Sequence, residues 1–161
     1  MNKKGQGLVE ALIALGAAVI IISAITIAVI MAVSNSDFSK DQNLATGYAQ
    51  QGIQVIQQKS QLDWETLQAS ASAAVWCLPQ GATDFYPASL GPSPCDVNIS
   101  GGFVRQVNFT KNSSNCNNTG TQVEVTVAWT DGKCSADTSS SNYYCHQVKL
   151  DTCVADINRT Q

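Results

Sequence analysis

Residues 3–33 read KKGQGLVEALIALGAAVIIISAITIAVIMAV, and from residue 8 to residue 33 the only charged side chain is Glu10. Those 26 residues would make a helix of about 39 Å, longer than the roughly 30 Å hydrocarbon core of a bilayer. Lys3 and Lys4 precede the run, while Asp37, Lys40 and Asp41 follow it. The positive-inside bias therefore predicts a cytoplasmic N-terminus with the rest of the chain across the membrane. A cleaved secretory signal is the alternative reading, with Ala32-Val33-Ser34 as its cleavage site. Apolar regions of such signals run to about 7–15 residues, however, and this run is far longer and contains an acid.

The whole chain has 161 residues, which beyond the run leaves room for one globular domain. Charged residues are only 13% of the chain, the net charge is −3, and the basic residues after Lys4 fall singly from Lys40 to Arg159. No basic stripe offers a nucleic-acid surface. All six cysteines (Cys77, Cys95, Cys116, Cys134, Cys145 and Cys153) follow the apolar run, which predicts disulfides in an oxidising compartment. There is no CxxC pair, and His146 is the only histidine, so no metal or haem motif is read and no cofactor is expected. His146 lies on the apolar-patterned side of a strand, with no acid or nucleophile at a recognisable motif spacing. It reads as a structural, hydrogen-bonded histidine, and no enzymatic activity is expected.

Helix formers continue without proline over residues 37–61, with Leu44, Tyr48, Ile53 and Ile56 near helical spacing, so one helix is predicted from about 8 to 61. Gly47 and Gly52 are the weak points of that helix. Residues 69–102 hold all four prolines and read as a long irregular connection. Then the period becomes two. Arg105, Val107 and Phe109 alternate with polar neighbours, as do Val123, Val125, Val127 and Trp129, and again His146, Val148 and Leu150. The expected fold is α+β: a long N-terminal helix packed on an antiparallel sheet of three to four strands and stapled by disulfides.

The meander also bears on the cysteines. Cys134 and Cys145 fall at one end of the second and third strands, and Cys116 and Cys153 at the other, while Cys77 and Cys95 bracket the irregular connection. Of 15 possible connectivities, topology favours Cys77–Cys95, Cys116–Cys153 and Cys134–Cys145. Asn-x-Ser/Thr triplets begin at Asn98, Asn108, Asn112, Asn117 and Asn158, with an acid two residues before Asn98 and Asn158. Surface glycosylation is one use for them, although chance also produces such triplets in a segment this rich in Asn, Ser and Thr.

Lys3-Lys4-Gly5, then Gln6, then Glu10 five positions beyond the glycine, then an unbroken apolar helix: this resembles the N-terminal signal of type IV pilins and the related secretion pseudopilins. Two further stretches resemble minor pilins: LATGYAQQGIQVI (44–56) followed by WETL (64–67), and VEVTVAWTDG (123–132). The resemblance implies a pilin-like fold and cleavage by prepilin peptidase between Gly5 and Gln6, with methylation of the new amine. Residues 1–5 would be the leader, 6–33 the transmembrane and assembly helix, and 34–161 the extracytoplasmic domain. Gln6 stands where phenylalanine is usual and Gly7 where threonine is common, and no proline interrupts the helix. Gly5 and Glu10, the two positions the processing and assembly mechanism needs, are both present.

A carboxylate within a membrane span costs about 2.5–3.5 kcal/mol at the centre and less near an interface, which makes it a functional candidate. The resemblance implies that Glu10 pairs with the Gln6 amine of a neighbouring subunit. The shallow alternative is a Glu10 solvated among headgroups. The implied role is a structural subunit, a minor pilin. Its implied partners are prepilin peptidase, other pilin subunits, the inner-membrane assembly platform and, before assembly, the membrane itself. Its location would be a single pass in the inner membrane first, and an extracellular pilus or periplasmic pseudopilus afterwards. A type II secretion pseudopilin and a major pilin remain open, as does the more distant reading of a bitopic receptor or binding module with an uncleaved anchor.

Overall fold

The longest element is a single helix, α1 (Lys3–Leu62), so the expected continuous helix is present. The computed structural model describes residues 3–70, 75–87, 95–117, 120–135 and 144–155. The chain divides into two units, Met1–Asp41 and Gln42–Gln161.

In the first unit, apolar side chains face outward all round the helix. Leu8, Leu12, Ile13, Ile20 and Met31 are each more than half exposed. An all-round apolar helix of this kind is built for an apolar solvent, and it is long and apolar enough to cross a membrane. Two of its hydroxyls are satisfied internally. Ser23 Oγ donates to the Val19 carbonyl at 2.8 Å and Thr26 Oγ1 to the Ile22 carbonyl at 2.9 Å, so neither needs water.

In the second unit, residues 42–62 of α1 lie on the sheet through a narrow stripe of Ala45, Ala49, Gly52, Ile56 and Ser60, all buried. Tyr48 and Ile53 flank the stripe as expected, but Leu44 is 40% exposed. The contact runs through small residues instead, because the sheet approaches too closely for leucine. A short helix α2 (Trp64–Ser70) follows, capped by Asp63, whose Oδ1 accepts the Thr66 N–H at 3.1 Å. The cap holds α2 so that Leu67 reaches the core, where it is fully buried.

The sheet has five strands: β1 (Trp76–Cys77), β2 (Tyr86–Pro87), β3 (Val104–Thr110), β4 (Thr121–Trp129) and β5 (His146–Val154). Their order is β2-β1-β3-β4-β5, with every neighbour antiparallel. The three long strands are those the alternation predicts. The two-residue strands β1 and β2 lie within the stretch read as irregular, and they are too short to leave a period. Register aligns Val107 with Val125 and Val125 with Leu150, so one face is apolar. The opposite face carries Gln106, Asn108, Gln122, Glu124, Lys149 and Asp151, the alternation that separates a core face from a wet one.

All three predicted disulfides are formed. Cys77–Cys95, Cys116–Cys153 and Cys134–Cys145 have Cα separations of 5.6, 5.6 and 5.4 Å. These separations fall in the middle of the range for bridged pairs.

Candidate functional site

Gly5 and Gln6 fall in the first turns of α1, and Glu10 lies on an exposed helix face shared with Ile13, Ala14 and Ala17. These positions follow one another at i, i+3, i+4 and i+7, so Glu10 heads a stripe of one isoleucine and two alanines. An exposed carboxylate beside small residues admits the close approach of another helix that brings a positive charge.

A second cluster sits at the end of the sheet where β4 gives way to β5. Trp129 pairs with His146 across the two strands. Their rings stand 5.4 Å apart, in a row that continues through Phe103 to Tyr48 on α1. His146 is half-buried on the core side of β5, as its strand position predicts, and its Nε2 lies 3.0 Å from Asp131 Oδ2. Asp131 is held by a tight turn. Its Oδ1 accepts the Lys133 N–H at 2.7 Å, and its carbonyl accepts the Cys134 N–H at 3.1 Å. The Lys133 N–H above all holds the Asp131 carboxyl below the usual carboxylate range; burial acts the other way and His146 adds to the lowering. The sulfur of Cys134 accepts the Asp131 N–H at 3.3 Å. Asp131, Cys134, Cys145 and His146 thus offer four donor atoms within 4.8 Å of one another. Sequence spacing conceals this set, since its members stand up to 15 positions apart and meet only through strand pairing.

Arg105 is the other unexpected side chain. Predicted simply as the start of a half-buried strand, it is 1% exposed and aims into the core. Its Nε donates to the Leu78 carbonyl at 2.9 Å, Nη1 to the Tyr48 carbonyl and Nη2 to the Pro79 carbonyl, each at 2.8 Å. Burial pushes the guanidinium pKa down, and the three carbonyls stabilise its charge where no carboxylate is in contact among these bonds. The fork thereby joins α1, the β1 exit and β3 by one residue.

The glycosylation triplets separate sharply. The side-chain amide of Asn98 is engaged at both ends, donating to the Arg105 carbonyl at 2.9 Å and accepting the Arg105 N–H at 2.8 Å. The folded domain therefore withholds the one described triplet that carries the preceding acid, Asp96. Asn108 is half-buried and donates to Glu124 Oε1 at 3.4 Å. Asn112 and Asn117 are exposed and left-handed, with φ of 48° and 57°. Asn158 lies outside the described residues.

Comparison with known proteins adds no relative: no family model, no curated protein and no solved structure matches this chain.

Proposed function

We propose that this chain is a non-enzymatic structural subunit of a type IV pilus, a minor pilin incorporated into the filament or its initiating tip complex. The observation that carries the reading is Glu10, five residues beyond Gly5 at the head of an exposed apolar run, in a helix that continues unbroken to Leu62. Prepilin peptidase would cut between Gly5 and Gln6 on the cytoplasmic face, and Gln6 would become the methylated N-terminus. The cut removes two of the nine basic side chains and none of the twelve acidic ones, so the mature subunit is more acidic. That balance disfavours nucleic acid as its main ligand.

Before assembly the helix would anchor the subunit in the inner membrane with the disulfide-bonded domain outside. During assembly, contact with the platform would feed the helix into a bundle of its own kind. There the new amine of one subunit would meet Glu10 of the next. In an apolar bundle a one-turn slip separates the two charges and leaves both buried and unpaired, which fixes the stagger.

The reading is tested by N-terminal sequencing of the protein from sheared filaments, together with immunogold labelling. The expected result is a mature start at Gln6 and label on filaments. The variant Glu10→Ala should be cut normally and yet be missing from filaments. A mature chain beginning at Met1, or filaments that take up the Glu10→Ala chain as well as the parent, would contradict it.

A further inference from the structure

The four donors at the β4–β5 end have more coordination chemistry than the oxidised protein uses. With Cys134 and Cys145 bonded to each other, neither sulfur is a thiolate, and only Asp131 and His146 could bind a cation. Two protein ligands are too few for a closed tetrahedral site. Breaking the bridge frees two thiols whose sulfurs can part and ligate as thiolates.

We propose that reduction of Cys134–Cys145 turns this end of the sheet into a binding site for a zinc-like divalent cation, held by both sulfurs, His146 Nε2 and one Asp131 oxygen. The reductant is a thiol. Two RSH molecules deliver two electrons and two protons to the Cys134–Cys145 bond, which breaks to give two protein thiols, while the two RSH sulfurs join as RSSR. Binding of the cation then displaces both thiol protons to solvent. Two thiolates, one carboxylate and a neutral imidazole around a doubly charged ion leave the site with a single negative charge.

Geometry supports each ligand. In a tetrahedral zinc site the metal–sulfur distance is about 2.3 Å and the nitrogen and oxygen distances about 2.0–2.2 Å, which places donors roughly 3.4–3.8 Å from one another. The four donor atoms already lie within 4.8 Å. His146 Nε2 and Asp131 Oδ2, at 3.0 Å, need only part slightly to admit an ion between them. The His146 ring is oriented by its tilted contact with Trp129, and Asp131 by the Lys133 N–H on its other oxygen. The Asp131 N–H that points at Cys134 Sγ is the kind of donor that stabilises a metal-bound thiolate. Two soft sulfurs, one imidazole and one carboxylate select a tetrahedral ion of the zinc type over calcium or magnesium.

Access favours this bridge over the Cys77–Cys95 one. Cys77 and Cys95 are 0% and 1% exposed, whereas Cys145 is exposed and Cys134 half-buried. Either linkage, disulfide or metal, closes the same loop between residues 134 and 145. The two states exclude each other, so metal retention at this loop reports its redox state.

The test uses the full chain in detergent micelles, treated with thiol, freed of it under anaerobic conditions and titrated with Co2+. Reduced protein should bind one equivalent with the intense visible bands of tetrahedral cobalt and a thiolate charge-transfer band, both bleached by added Zn2+. Oxidised protein should show neither. The thiol-treated Cys134→Ser/Cys145→Ser chain, which retains the other four cysteines, should lose both bands. His146→Ala should bind about tenfold more weakly or worse; its fold is checked in the oxidised state, where its disulfides are intact. Absence of tetrahedral bands in the reduced parent overturns the proposal, as does their persistence in the double-serine chain or an unchanged affinity in His146→Ala.

Discussion

A side chain at Gly52 would place its Cβ 2.9 Å from Cγ1 of Val125, so α1 crosses β4 at a distance only glycine allows. Val125 is fully buried, and Arg105 Cδ lies 3.1 Å from the same point, so neither neighbour has room to yield. The Gly52→Ala variant should therefore lose about 1–2 kcal/mol of stability despite alanine's better helix propensity. Gly47 is the control. A Cβ there meets nothing within 4 Å, so Gly47→Ala should gain up to about 1 kcal/mol. Thermal unfolding of the two variants should show shifts of opposite sign.

Arg105 should prove irreplaceable by other long side chains. Methionine keeps the stem but leaves the Leu78 carbonyl without its side-chain donor and the Pro79 carbonyl with the Ala82 N–H alone, at a cost of about 2 kcal/mol or more. Lysine keeps the charge but not the planar fork that reaches three carbonyls at once, so it should recover only part of the loss. Denaturant midpoints of Arg105→Met and Arg105→Lys would give that ranking.

The disulfides should differ in worth by the length they close. Serine pairs at Cys77/Cys95 and Cys116/Cys153 release loops of 18 and 37 residues, which predicts losses of about 3 and 4 kcal/mol. Unfolding of the two double variants in urea would measure the order.

Asp63 should make the domain acid-sensitive. The hydroxyl and backbone N–H of Thr66 hold its carboxyl below the usual range. A carboxyl depressed by folding contributes stability above its unfolded pKa of about 3.9, and that contribution disappears as the pH falls through its lower folded value. Asp63→Asn keeps a capping oxygen that does not titrate, so its stability should decline less between about pH 5 and pH 2 than the parent's. Parallel decline of the two chains would remove Asp63 from the acid limb.

Much of this fold is legible in the residues, for identifiable reasons. The long helix, the three long strands and the disulfide pairs all follow from period and from strand ends, which are local patterns. The helix face does not, because a hydropathy reading favours Leu44 while the sheet selects Ala45, Ala49 and Gly52 for their small size. Buried Arg105 is equally hidden, since its three acceptors come from Tyr48, Leu78 and Pro79, far away in the chain. Glu10 is visible in sequence by its spacing from Gly5. The Asp131–His146 cluster is not, because it exists only once Trp129 is paired with His146.

The Cys116–Cys153 bridge has a mechanical consequence for a chain pulled at its ends. It removes 37 residues from the stretch that tension can draw out, roughly 130 Å of extended backbone. The Cys77–Cys95 bridge withholds a further 18 residues, roughly 60 Å. Cys134–Cys145 lies inside the larger loop and adds nothing to this. Most of the sheet is thus shielded from force by two covalent short circuits, and a stretched domain yields little slack even after its hydrogen bonds fail.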